Sequence, residues 1–234
     1  MSRIQVVSAL ADMAEASLVV EAIIEDLPAK QALMCELEQH VSPHAVLATN
    51  TSSISVTAIA NGMQHPQRMV GMHFFNPVPL MKLVEVVSGA ETSSEVAEAI
   101  AALAKAWGKT AVLAASTPGF IVNRIARPFY AEALQLLQEQ AGTPAQLDRA
   151  MRGAGFRMGP CELTDLIGHD VNFAVTRSVW TAFFHDPRFL PSLIQQELVD
   201  GGFFGKKSGR GFYDYREGAA AALPSAEAPQ PLPS

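Results

Sequence analysis

At 234 residues the chain is long enough to bury a sizeable core in one or two domains. Its residues are 49% hydrophobic and only 17% charged, which excludes disorder by composition. The net charge of -6 gives no basic face for nucleic acid, and no apolar run is long enough to span a membrane.

The predicted elements alternate at first. Residues 17–24 (SLVVEAII) are a continuous apolar run, as in a strand buried on both faces. Pro28 opens a helix that runs to about His40, and residues 45–49 (AVLAT) read as a second buried strand. Asn50 to Ser53 make a polar turn, followed by a helix that stops at Asn61-Gly62. Residues 69–75 and 83–87 are two strands joined by a turn containing Asn76, Pro77 and Pro79. Thr92 and Glu95 have capping-box spacing for a helix ending at Gly108, and residues 110–114 form a last short strand. This pattern predicts the later part of an α/β sheet, whose ligands sit beyond the strand carboxyl ends.

From Thr117 the pattern turns helical. Thr117-Pro118 reads as a cap and first helical residue for a helix to about Gln140, kinked at Pro128. Thr143-Pro144-x-Gln146 starts another helix with a capping box. Further helices are expected at 160–167, 170–184 and 191–200, with no strand signal until GFYDY. The expected division is therefore 1–115 (partial α/β domain), 116–216 (helical domain) and 217–234 (Ala/Pro-rich linker). Cys35 and Cys161 are isolated in helical sequence, which suggests reduced thiols rather than a disulfide or metal site. No signal-peptide core follows Met1, so the expected compartment is the cytoplasm.

The chemistry centres on His73 and Glu85. A lone carboxylate inside LVEVV is costly to bury and needs a partner, and a histidine ends the preceding strand. Such a pair is either a general base held in one tautomer or a polar tie between two strands. Ser52 follows a buried strand and is either a hydroxyl aimed at substrate or a helix N-cap. Asn123 lies among Phe120, Ile121 and Val122, where an amide must find partners.

Six ordered motifs carry a resemblance. They are E-A-I-I-E-D-L (21–27), T-N-T-S-S (49–53), H-F-F-N-P-V-P-L-M-K-L-V-E (73–85), T-P-G-F-I-V-N-R (117–124), M-G-P-C-E-L-T-D (158–165) and G-K-K-S-G-R-G-F-Y (205–213). Together they resemble the L-3-hydroxyacyl-CoA dehydrogenase family, whose members act on 3-hydroxybutyryl-CoA, 3-hydroxyadipyl-CoA and related thioesters. The resemblance implies the C-terminal part of a Rossmann-type dinucleotide-binding domain, then the family's all-helical C-terminal domain. It implies NAD-dependent oxidation of an acyl-CoA substrate in fatty-acid β-oxidation or aromatic-acid catabolism, by a homodimer. His73 and Glu85 match the family's catalytic pair, with Ser52 and Asn123 beside the substrate. Glu25, Lys30, Asn50, Ser52, Asn76 and Lys207 match positions facing the cofactor. Without the resemblance, Glu25 and Lys30 read as solvated charges at a helix start and Lys207 as part of a charged loop.

The family's glycine fingerprint, G-x-G-x-x-G, does not occur in the sequence. The expectation is therefore an internal fragment, inactive alone, of a longer dehydrogenase with a further domain after Ser234. The alternatives are an inactive dimerising fragment or a structural, crystallin-like homologue.

Overall fold

Apolar, largely β-branched runs build five strands in the first part of the chain: β1 (Leu18–Glu21), β2 (Val46–Thr49), β3 (Met69–Phe74), β4 (Leu83–Ser88) and β5 (Thr110–Ala115). In the computed structural model, which describes residues 4–219, they form one sheet in the order β1-β2-β3-β4-β5. All neighbours are parallel except β3 and β4, the two strands joined by the Asn76–Pro79 turn. That single antiparallel pair sets the register Met72↔Val86, His73↔Glu85, Phe74↔Val84.

Period-2 alternation then sorts side chains to two faces. Leu47, Met69 and Val87 meet Met34 and Leu37 of α1 (Leu27–His40) and Val56 and Ile59 of α2 (Val56–Ala60). Ala48, Val70, Met72, Val84 and Val86 meet Ala97, Ile100 and Ala104 of α3 (Ser94–Ala106). Gly71 lets α2 approach: a Cβ there would lie 2.8 Å from Val87 Cβ and 3.0 Å from Val56 Cγ2. The layers are those expected of an α/β unit.

The second part is helical, as expected: α4 (Val122–Gln138), α5 (Pro144–Gly153), α6 (Pro160–Ile167), α7 (His169–Ala182) and α8 (Leu193–Asp200). Thr143 and Gln146 form the expected capping box of α5. The buried Asp148 carboxylate accepts from Cys161 N and Glu162 N (both 2.8 Å), two donors of the first turn of α6. It also accepts from the Tyr213 hydroxyl (2.7 Å). Burial pushes the Cys161 thiol well above its ordinary value, so it is an inert core thiol.

Three sequence expectations are corrected. Ser93, not Thr92, caps α3 by accepting from Val96 N, while the Thr92 hydroxyl donates to Met69 O. Thr117-Pro118 does not start α4: 117–121 is a turn, with Gly119 (φ 72) and Phe120 (φ 46) left-handed. GFYDY makes only the isolated bridge Arg210↔Asp214, because its main-chain donors go to a carboxylate instead. Two compact units cover Met1–Ile121 and Val122–Ser234, and Phe120 packs in the core of the first. Most of the expected linker, residues 220–234, lies outside the described residues.

Candidate active site

The antiparallel register places His73 opposite Glu85, and their side chains meet: Nδ1 to Oε2 is 2.6 Å. Both are buried, at 5% and 1% exposure. A carboxylate on Nδ1 directs the ring proton there, so the neutral ring carries its lone pair on Nε2. The other carboxylate oxygen, Oε1, accepts from Ile121 N (3.0 Å). Phe75 and Phe120 flank the imidazole at 4.5 and 5.7 Å between ring centroids, shielding it from water. The left-handed turn at Gly119-Phe120 thus brings two contacts to the pair, a ring and a main-chain donor. Neither was legible while Thr117–Asn123 read as continuous helix.

A second polar cluster lies just past the carboxyl ends of the parallel strands β1 and β2. Lys30 Nζ contacts Glu21 Oε1 (2.6 Å) and Glu25 Oε2 (3.4 Å). Glu21 Oε2 accepts from Thr49 Oγ1 (2.6 Å). Lys30 is 1% exposed, so the solvated reading of this lysine is corrected: it is a buried cation held by two carboxylates. Glu21, absent from the expected site, is the partner that makes this burial tolerable.

Glu25 Oε1 gathers the T-S-S turn, accepting from Thr51 Oγ1 (2.7 Å), Ser52 N (2.9 Å) and Ser53 N (3.1 Å). Burial alone would raise the Glu25 carboxyl. The Thr51 and Ser52 donors, the Lys30 charge and the Ser53 hydroxyl outweigh it and hold the carboxyl below its ordinary value. Ser52 Oγ is 3.3 Å from the same oxygen. Ser52 is not a helix cap; Ser55 caps α2 by accepting from Ala58 N. Asn50 Oδ1 accepts from Phe74 N (2.9 Å), tying the end of β2 to the end of β3. Asn76 follows β3 and is exposed.

The first unit therefore brings His73 to Glu85, and Glu25 to Lys30 and Ser52. Asn123 and Lys207 belong to the second unit. Asn123 is the second residue of α4, and its carbonyl accepts from Arg127 Nε (3.0 Å). Lys207 Nζ contacts Asp170 Oδ1 (2.6 Å) at the surface. No helix among the described residues is long and apolar enough to cross a membrane.

Comparison with known proteins gives the family. Residues 1–117 match the family model described as 3-hydroxyacyl-CoA dehydrogenase, NAD binding domain, and residues 119–215 match its C-terminal domain. A 3-hydroxyadipyl-CoA dehydrogenase of Escherichia coli (strain K12) is 59% identical over 205 residues, 87% of this chain and 43% of that protein. A probable 3-hydroxybutyryl-CoA dehydrogenase of Bacillus subtilis (strain 168) is 42% identical over 217 residues, 92% of this chain and 75% of that protein. The crystal structure of a 3-hydroxybutyryl-CoA dehydrogenase from Escherichia coli superposes with a TM-score of 0.89 at 56% identity, covering 92% of this chain and 46% of that one. The chain thus spans less than half the length of the Escherichia coli relatives. With two family models meeting end to end along it and three quarters of the Bacillus relative covered, the chain belongs to the 3-hydroxyacyl-CoA dehydrogenase family.

Proposed function

We propose that the protein carrying this chain oxidises the 3-hydroxyl of an L-3-hydroxyacyl-CoA to a ketone, using NAD. The observation that supports this most directly is the buried 2.6 Å contact between His73 Nδ1 and Glu85 Oε2. Its free face, Nε2, is the basic atom that takes the hydroxyl proton. Glu85 stabilises the imidazolium that results, and Ile121 N holds the second carboxylate oxygen so that the first stays aligned. Ser52 and Asn123 are assigned to the substrate oxygens.

NAD, when bound, supplies the hydride acceptor. Glu25, Asn50, Ser52 and Asn76 form a carboxylate, amide and hydroxyl set at the strand ends that suits ribose hydroxyls and a carboxamide. Lys30 enters through its contact with Glu25, and Lys207 is assigned to the cofactor on resemblance alone. Among the described residues these fit the nicotinamide end only, and none is assigned to the pyrophosphate.

The test is NADH formation by the complete protein from L- and D-3-hydroxybutyryl-CoA. Turnover of the L-isomer alone is expected, and no turnover of either defeats the reading. The base does not select the acyl group. The Escherichia coli relative is named for an adipyl thioester, which ends in a carboxylate, and the Bacillus relative for a butyryl thioester, which ends in a methyl.

We also propose a homodimer built on the helical unit. Ile125 of α4, Val171 of α7 and Leu193 of α8 are 66%, 49% and 69% exposed, apolar side chains that a second copy would cover. Sedimentation at micromolar concentration is expected to give a dimer; a monomer counts against it.

A further inference from the structure

The helical unit contains a buried cation that no anion among the described residues meets. Arg127 is 4% exposed and makes no ion pair with any described residue. Its guanidinium donates only to neutral acceptors: Asn123 O, Asn172 O (3.1 Å) and Thr176 Oγ1 (2.8 Å). It also lies over the Tyr130 ring, 5.0 Å from the centroid. A ring face compensates a buried charge only in part. Burial accordingly lowers the guanidinium's affinity for its proton. Every other arginine or lysine buried to this degree is met by a carboxylate: Lys30 by Glu21, Arg68 by Glu38.

Two further observations point to a missing acceptor. Asn172, whose carbonyl holds Arg127, has a buried amide nitrogen with no partner. Arg127 also lines a small cleft with Tyr130, Thr176, Ser192 and Gln195, beside the half-exposed Leu190. The space in it is about 10 Å³, enough for one water-sized polar group but not for an alkyl chain. A terminal carboxylate oxygen suits both the charge and the room.

The position along α4 suggests whose carboxylate it is. Arg127 follows Asn123 by one helical turn, about 6 Å along the axis. Its side chain leans back toward the helix N-terminus and bonds the Asn123 carbonyl. A short acyl chain whose oxygens lie at Asn123 would carry its far end toward Arg127.

We infer that Arg127 recognises the distal carboxylate of a dicarboxylic 3-hydroxyacyl thioester, so that the preferred substrate class ends in a carboxylate rather than a methyl group. The inference rests on the dehydrogenase reading above and names the substrate class of that site.

The complete wild-type protein is assayed with 3-hydroxyadipyl-CoA and with 3-hydroxyhexanoyl-CoA, which has the same length and a methyl end. A kcat/KM ratio of at least tenfold in favour of the dicarboxylic thioester is expected. Turnover of both substrates with a ratio near one, or favouring hexanoyl, overturns the inference and leaves the dehydrogenase reading intact. No turnover of either defeats the reading itself. Arg127→Met should then collapse that ratio by tenfold or more, and Arg127→Lys should retain part of it. An equal fall on both substrates makes Arg127 a merely structural residue and overturns the assignment. Because the wild-type ratio needs no variant, a variant that fails to fold leaves the first measurement decisive.

Discussion

Replacing His73 by Gln in the complete protein is expected to lower kcat for 3-hydroxyacyl-CoA oxidation by about 10²- to 10⁴-fold, the usual worth of a positioned general base. Glutamine keeps the approximate size of the ring and can still face Glu85, so the loss reports basicity rather than a cavity. Glu85→Gln should cost less. It removes the charge that stabilises the imidazolium but leaves the imidazole, and its amide still offers an oxygen to Ile121 N. The order of the two effects is the discriminating result. If His73→Gln turns over at near wild-type rate, the pair is a polar tie between β3 and β4 and the base lies elsewhere. If Glu85→Gln is the more damaging, the carboxylate has a role beyond holding the ring. Unfolding curves of both variants separate these outcomes from loss of fold, since a buried pair broken at one partner also costs stability.

Asp165→Ala is expected to be the most destabilising single change in the helical unit, by about 3–5 kcal/mol, the range found when a buried charged network loses one partner. Asp165 is fully buried and accepts from Phe212 N (2.9 Å), Tyr213 N (3.0 Å) and the Tyr215 hydroxyl (3.0 Å). It also lies 2.7 Å from His169 Nε2, whose other nitrogen is 3.3 Å from Gln195 Nε2. Truncation orphans all these donors at once, and each unsatisfied buried donor costs about 1–3 kcal/mol. Two glycines of G-K-K-S-G-R-G-F-Y let the chain close on Asp165: a Cβ on Gly205 would lie 2.2 Å from its main-chain O, and one on Gly211 2.0 Å from its carboxylate Oδ1. Urea unfolding followed by Trp180 fluorescence in a Trp107→Phe background reads the helical unit. A loss below about 1 kcal/mol, the net worth of one ordinary hydrogen bond, would show that the network is dispensable.

The sequence by itself determined the pieces whose cause is local. Short continuous apolar runs marked the strands of the first unit, and the Thr143-x-x-Gln146 spacing marked the start of α5. The strand–turn–strand from Met69 to Ser88 put a histidine opposite a glutamate because a short antiparallel connection sets its own register. The six ordered motifs identified the family, and the family models agree.

What only the tertiary structure decided depends on contacts between distant segments. Lys30 looked solvated because its helix start is polar; parallel pairing of β1 with β2 brought Glu21 and Thr49 together around it, and no local pattern encodes that register. Thr117-Pro118 had the composition of a helix start. Burying Phe120 in the core around Val87 instead demanded a left-handed turn, and that turn delivers the main-chain donor to Glu85. Asp148 and Asp165 each organise donors from segments far along the chain, which no local pattern marks. Arg127 likewise carries no signal in the sequence that sets it apart from other helix charges. Burial without a carboxylate partner makes it a candidate for recognition, because a low-dielectric interior penalises a charge according to what surrounds it, and sequence spacing does not reveal those surroundings.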